Sequence, residues 1–293
     1  EQDAWAYALL REVQLRAGDQ AAETIIHLLR AEKWPDAPLP RLLVELFYAH
    51  SLLAYLQRYG YEIRQRERVA SGPVAAAPAD GPAGDLKTWS YDQIVAAAQG
   101  SLARLWRQRE ALGGTPVTAL APFVTANNLP KEVRGTLRDS LTYLIVELLA
   151  DSSHWRPEQN DLYRLDFSAL LQGDPAAEVR LDDQAVHPLQ RALWALADLE
   201  SWHARSGRPA AALQARLTRY TQLRALYDTS FERERTAVHK ALAAYLAEPK
   251  LLAVPWRAMG LSVLARMLRE DLSDSDGAAR AYELADQGRK AFP

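Results

Sequence analysis

The sequence predicts an all-α protein built from antiparallel helical hairpins stacked on one another. Two observations carry this prediction. Apolar residues recur at the i, i+3, i+4, i+7 spacing that places them along one face of a helix, and short polar turns separate these periodic segments. The chain has 293 residues, of which 48% are hydrophobic and 25% are charged. This composition is typical of a folded protein rather than a disordered one.

The first 69 residues are predicted to form a helical hairpin and a third helix. Trp5 and Val13 mark the apolar stripe of the first helix, and Ile25 marks that of the second. Between them, Ala17-Gly18-Asp19 combines a glycine that ends one helix with an aspartate that caps the next. The third helix is expected over about Pro40–Arg68, with an apolar stripe along its length.

Residues 70–86 are predicted to be a flexible connector. This stretch is rich in alanine, proline and glycine, and Pro73, Pro78 and Pro82 exclude a continuous helix. Such a composition is typical of a linker rather than of packed structure.

The central segment, residues 87–180, is predicted to contain two main helices and an irregular polar loop. One helix is expected over about Tyr91–Leu112, and a more apolar one over about Pro130–Ala150. The second carries leucines around much of its circumference, including Leu141 and Leu144. We therefore expect this helix to be central, with neighbours on two sides, and both leucines to be buried.

The last segment, residues 181–293, is predicted to form further hairpins, of which the final one resembles a tetratricopeptide (TPR) repeat. That family places large apolar residues around a small one on the first helix and a small–aromatic–small pattern on the second, so that the helices approach closely. The matching residues are Leu261, Leu264, Ala265, Leu268, Ala278, Tyr282 and Ala285. The first hairpin of the chain matches in part and the middle one poorly. The resemblance therefore implies a degenerate TPR-like solenoid, an α-α superhelix.

Composition excludes several classes of function. Lysine and arginine number 35 against 37 aspartate and glutamate, which leaves a formal net charge of -2 and no positive surplus to bind nucleic acid. The most apolar stretch, residues 141–150, is far shorter than the roughly 20 residues of a membrane span. Because these 293 residues include no cysteine, they contain no disulfide, no thiol nucleophile and no cysteine-ligated metal.

The residue types that carry chemistry in enzymes do not form a known motif. None of the six histidines belongs to an H-E-x-x-H pair, no serine lies in a G-x-S-x-G elbow, and no glycine-rich phosphate loop is present. His154, Glu158 and Asp161 could approach one another, but such spacing often arises by chance, and a metal site there is disfavoured. His27 and His50 lie near apolar stripes, which favours hydrogen-bonded helix histidines over ligands. We therefore expect no metal and no cofactor.

Charged residues around the central helix form the one candidate site. They are Arg134, Arg138, Glu147, Asp151, Arg156 and Glu158. Their types and spacing favour ion pairs in a half-buried helix junction over the capture of an anionic ligand. We therefore predict a structural ion-pair or interaction cluster, with no catalytic residue.

Six short segments together carry a further resemblance. They are residues 46–49 (LFYA), 63–67 (IRQRE), 109–114 (REALGG), 134–139 (RGTLRD), 146–151 (VELLAD) and 155–159 (WRPEQ). They resemble the helical N-terminal region of large bacterial α2-macroglobulin-like proteins, which precedes a string of β-sandwich domains. The resemblance implies export to the periplasm or cell surface and a part in a protease-trapping protein. The reactive Cys–Gln thioester of that family belongs to a distant C-terminal domain. It cannot lie in this sequence, which has no cysteine.

Three functions follow as hypotheses. The first is a non-enzymatic helical scaffold whose concave groove contacts a peptide, another protein or a neighbouring domain. The chain begins at Glu1 without an initiator methionine, so we interpret it as a processed protein or as a piece of a longer one, and the α2-macroglobulin-like resemblance implies that the longer protein is exported. The second is a free-standing cytoplasmic TPR-like adaptor. The third is an all-α enzyme with its site near Arg134, Arg138 and His154.

Overall fold

The structure is a computed structural model that describes residues 9–10, 21–69, 84–121, 128–173, 180–227, 230–271 and 277–291. This part of the chain contains eleven α-helices and no strand, so the predicted all-α class is confirmed. Its one bridge of the β type is isolated and joins Pro116 to Thr136. The predicted turn at residues 17–19 and the proline-rich stretch 70–83 lie outside the described residues.

The chain divides into two compact units. Unit 1 comprises Glu1–Arg109 with Arg180–Asp183, and unit 2 comprises Glu110–Val179 with Gln184–Pro293. Within the described residues, no helix has both the length and the apolar run that a bilayer crossing requires.

The described residues of unit 1 form three helices: α1 (Ala21–Ala31), α2 (Pro38–Val69) and α3 (Tyr91–Trp106). Helix α2 packs on both α1 and α3, so the helix predicted to open the central segment belongs with the N-terminal helices. Helix α3 begins with a capping box between Ser90 and Gln93.

A buried carboxylate joins the two long helices of unit 1. Glu45 of α2 accepts hydrogen bonds from the Arg104 guanidinium of α3, at 2.8 Å for Nε and 3.0 Å for Nη2, and from the Ser101 hydroxyl. Because the charge of Glu45 is paired and bonded in this way, its burial is compensated.

Unit 2 contains the remaining helices, and the division between the units falls within the first of them. They are α4 (Arg109–Leu112), α5 (Leu137–Ala150), α6 (Phe167–Gln172), α7 (Pro188–Arg205), α8 (Pro209–Leu226), α9 (Glu232–Leu246), α10 (Arg257–Glu270) and α11 (Gly277–Ala291). Helix α7 packs against both α5 and α8, α10 pairs with α11, and α9 contacts α8 and α10. The turn between α7 and α8 contains Gly207 at φ 68°, a left-handed conformation that glycine adopts without strain.

The predicted burial of α5 is correct for Leu141 and wrong for Leu144. Leu141 is 2% exposed, whereas Leu144 is 45% exposed. Leu144 shares its helix face with Ser140 and Glu147, at i-4 and i+3, and this face is the least buried one of α5. An apolar residue on a solvated face of a helix is common, and periodicity alone does not identify it.

The prediction that the small–aromatic–small residues of α11 face its neighbouring helix is wrong. Tyr282 is 75% exposed, and Ala278 and Ala285 are exposed with it. The buried residues of α11 are instead Gly277, Ala281 and Gly288. A Cβ at Gly288 would lie 3.6 Å from the Ala258 carbonyl oxygen of α10. Small residues of α11 therefore do face α10, but in a register shifted from the predicted one.

Candidate functional site

The six predicted cluster residues do not converge on one site. Among the described residues, only one ion pair joins two of them, between Arg156 Nε and Glu158 Oε1 at 3.7 Å. Asp151 instead accepts a hydrogen bond from the amide of Ser153, and Glu147 lies on the exposed face of α5. The guanidinium of Arg134 lies 3.3 Å from the centre of the Tyr143 ring.

Arg138 is the one residue of this set that is fully buried. Its guanidinium pairs with Glu110 at 2.9 Å and with Asp198 of α7 at 2.6 Å. The same group lies 4.5 Å from the centre of the Trp202 ring. Two carboxylates and an aromatic face therefore surround Arg138, and neither carboxylate belongs to the cluster that the sequence predicted.

A buried aspartate–histidine pair lies next to Arg138. Asp139 Oδ1 is 2.7 Å from Nε2 of His203, and Asp139 Oδ2 accepts from the amides of Gly135 and Thr136 at 3.0 and 2.9 Å. Burial raises the pKa of Asp139, but the hydrogen bond and charge of His203 and the bonds from Thr136 outweigh it, so the pKa lies below its ordinary value.

The geometry of this pair is typical of a structural contact. In a catalytic aspartate–histidine pair the second ring nitrogen faces the nucleophile. Here that nitrogen, Nδ1 of His203, is buried and has no hydrogen-bond partner within the described residues. In a catalytic pair, substrate would have to reach this nitrogen, and its burial prevents that. We therefore interpret the pair as a structural contact that joins the start of α5 to the end of α7.

Metal-ligating residues gather at a place that the sequence analysis missed. The disfavoured set of His154, Glu158 and Asp161 does not come together among the described residues. The ligand atoms of Glu23, His27 and Asp85 do, all within 4.8 Å of one another. The spacing of Glu23 and His27, one helical turn apart, was visible in the sequence, but the approach of Asp85 depends on the fold.

A groove of about 630 Å³ lies between α9, α10 and α11 of unit 2. Its aliphatic lining is Ala243, Leu264, Leu268 and Leu284, and its polar lining is Thr236, His239, Lys240, Asp271, Arg280, Glu283 and Gln287. The volume falls within the range of about 300–1,000 Å³ that is typical of ligand sites. Hairpin helices thus build a cleft at the C-terminal end of the described chain, where the sequence predicted the TPR-like unit.

The charges of the groove differ from one side to the other. Near Asp271 they compensate one another, since its carboxylate lies 3.9 Å from His239 and 4.0 Å from Arg235. By contrast, the exposed Lys240 of α9 and Glu283 of α11 make no ion pair with any residue that the structure describes. Both side chains are exposed at the rim of the groove.

Comparisons of the chain with protein-family models, with curated proteins and with solved structures found no match. The resemblances to TPR repeats and to α2-macroglobulin-like proteins therefore stay predictions.

Proposed function

We propose that this chain is a non-enzymatic helical scaffold that binds a protein segment in the groove between α9, α10 and α11. The observation that carries the proposal is the groove itself, which combines an aliphatic floor with the exposed charges of Lys240 and Glu283 at its rim. Grooves between packed helices recognise peptide segments by burying apolar anchor residues and pairing charges around them.

The groove favours an amphipathic segment as its occupant. Leu264, Leu268 and Leu284 offer an apolar surface on which one or two aliphatic or aromatic side chains can be buried. Lys240 would pair with an acidic side chain beside that anchor, and Glu283 with a basic one across the groove. The segment would belong to a separate protein or to a neighbouring domain of a longer chain.

The test is selection of a displayed random-peptide library on the full chain, followed by affinity measurement of the selected peptides by fluorescence anisotropy. Lys240→Glu should weaken the selected acidic peptides about threefold to tenfold, because an attractive ion pair becomes a repulsion. Arg266→Glu is the matched control, since Arg266 is exposed on α10 and does not line the groove. It should leave the affinity unchanged.

A second pair of variants tests the apolar floor. Leu268→Gln places a polar group on the partly exposed floor and should also weaken binding, whereas Leu252→Gln changes a leucine that is exposed outside the groove. Selected peptides that bind Lys240→Glu and Leu268→Gln as tightly as the parent chain would overturn the proposal.

A further inference from the structure

Three potential metal ligands of unit 1 face one another on the surface. Glu23 and His27 lie one turn apart on α1, and Asp85 comes from the segment that precedes α3. His27 Nε2 is 3.9 Å from Glu23 Oε1 and 3.9 Å from Asp85 Oδ1. The imidazole is 47% exposed, so His27 is accessible from solvent.

The backbone around Asp85 is held firmly against α1 and α2. Leu86, the first residue of a short 3₁₀ turn, and Trp89, which follows that turn, are buried in the core of unit 1. Arg30 of α1 donates a hydrogen bond to the Gly84 carbonyl at 3.1 Å and lies over the Trp89 ring. Asp85 is therefore presented to α1 by a packed segment, which is the preorganisation that a ligand site requires.

The positively charged side chain of Lys87 lies beside these three residues. The Lys87 ammonium is 3.0 Å from Glu23 Oε1, so these two side chains form an ion pair. Lys87 is well exposed, so its side chain can swing into solvent at little cost. The two carboxylates thus attract positive charge at a point where His27 adds a nitrogen donor.

We propose that Glu23, His27 and Asp85 bind one divalent transition-metal ion of the zinc class, displacing Lys87. One imidazole with two carboxylates suits zinc and its neighbours, whereas calcium and magnesium prefer all-oxygen sites. Ligand atoms bound to one tetrahedral zinc lie about 3.3 Å apart. The separations here are 3.9 Å from His27 to each carboxylate and at most 4.8 Å for any pair of ligand atoms, so side-chain movements of about 1 Å would close them. Such an ion would join the segment before α3 to α1 and keep one position open for water.

The test is calorimetric titration of zinc chloride into the full, untagged chain at neutral pH. The parent chain should bind one zinc ion per molecule. His27→Ala should lower the affinity at least about tenfold, since the loss of an outer-shell partner alone costs about 10–100-fold. His50→Ala is the matched control, because His50 is exposed on α2 of the same unit and is no member of the cluster. It should change nothing.

Two further variants separate a built site from adventitious binding. Asp85→Asn keeps a side chain that can cap the 3₁₀ turn, as Asp85 does by accepting from the Lys87 amide, yet it should weaken zinc binding. Lys87→Ala removes the competing cation and should strengthen it. Three results would overturn the proposal: no binding by the parent chain, equal affinity in His27→Ala and His50→Ala, or weaker binding by Lys87→Ala.

Discussion

The Asp139 carboxylate lies 2.7 Å from the His203 imidazole, and both side chains are nearly inaccessible to solvent, at 2% and 1% exposure. Asp139 also completes the capping box of α5 with Thr136. One side chain therefore both caps the start of α5 and ties it to the last turn of α7. Its removal should affect a cap and a buried polar contact together.

Asp139→Asn should lower the free energy of unfolding at neutral pH by about 1.5–3 kcal/mol, the range for hydrogen bonds to a charged group, because it removes the charge of a buried carboxylate that accepts several of them. The folded-state pKa of Asp139 lies below its ordinary value of 3.8, so the folded chain binds fewer protons than the unfolded one. The stabilisation is then complete above pH 3.8 and is lost as the pH falls through the lower, folded-state pKa. Urea unfolding at a series of pH values measures both effects.

The control for this variant is Asp92→Asn, on the exposed first turn of α3. It should cost less than about 1 kcal/mol. The difference in unfolding free energy between the parent chain and Asp139→Asn should shrink as the pH falls below 3.8. If it did not, the ionised carboxylate would not be the stabilising form.

Leu141→Ala should destabilise the chain by about 2–5 kcal/mol, whereas Leu144→Ala should change stability by no more than about 0.5 kcal/mol. The first truncation opens a cavity at a side chain that is 2% exposed, and the second shortens one that is 45% exposed. Urea unfolding of both variants is the measurement, and each is the other's control. Equal losses would show that α5 is covered on both faces.

Several helices of this chain could be predicted from sequence because they follow local periodicity, although the helix expected over about Pro130–Ala150 begins only at Leu137 and the one expected over about Tyr91–Leu112 ends at Trp106. The long helix expected over Pro40–Arg68 extends over Pro38–Val69. Leu144 and Tyr282 were misassigned for a different reason: a stripe of apolar residues defines a helix, but only its neighbours decide which part of the circumference is covered.

The partners of charged residues could not be predicted in the same way. Arg138 has carboxylates nearby in sequence, at Glu147 and Asp151, yet it pairs with Glu110 and Asp198. Asp198 lies 60 residues away in the chain, and its approach depends on how α5 packs against α7. For the same reason Asp85 could not be assigned to His27 from spacing alone.

Gly113→Ala should destabilise the chain by about 1–3 kcal/mol through overpacking, and the neighbouring Gly114→Ala should be nearly neutral. A Cβ at Gly113 would overlap the indole of Trp202, whereas one at Gly114 would meet nothing within 4 Å. The indole has little freedom to move, because the guanidinium groups of Arg138 and Arg208 lie 4.5 and 4.0 Å from its ring centre. Thermal melts of the two variants compare them directly, and similar melting temperatures would contradict a fixed Trp202.

Arg219 of α8 hydrogen-bonds the C-terminal end of the short helix α6. Its guanidinium is buried, donates to the Leu171 carbonyl of α6 at 2.7 Å, and donates to the Glu200 carboxylate of α7 at 3.1 Å. A cation that hydrogen-bonds the last carbonyls of a helix stabilises that end. Gly173, at φ 65°, ends the helix and lies against the same guanidinium.

Arg219→Lys should therefore loosen α6 without unfolding unit 2. A lysine ammonium lacks the planar fork that reaches a carbonyl and a carboxylate at once, and hydrogen bonds to charged groups are worth about 1.5–3 kcal/mol. Amide hydrogen exchange in α6 should become about tenfold faster or more, while exchange in the middle of α7 stays unchanged. Arg205→Lys, at an exposed position of α7, is the matched control and should leave both rates as they are. Unchanged exchange in α6 of Arg219→Lys would mean that packing of its own side chains, and not the arginine, holds this helix.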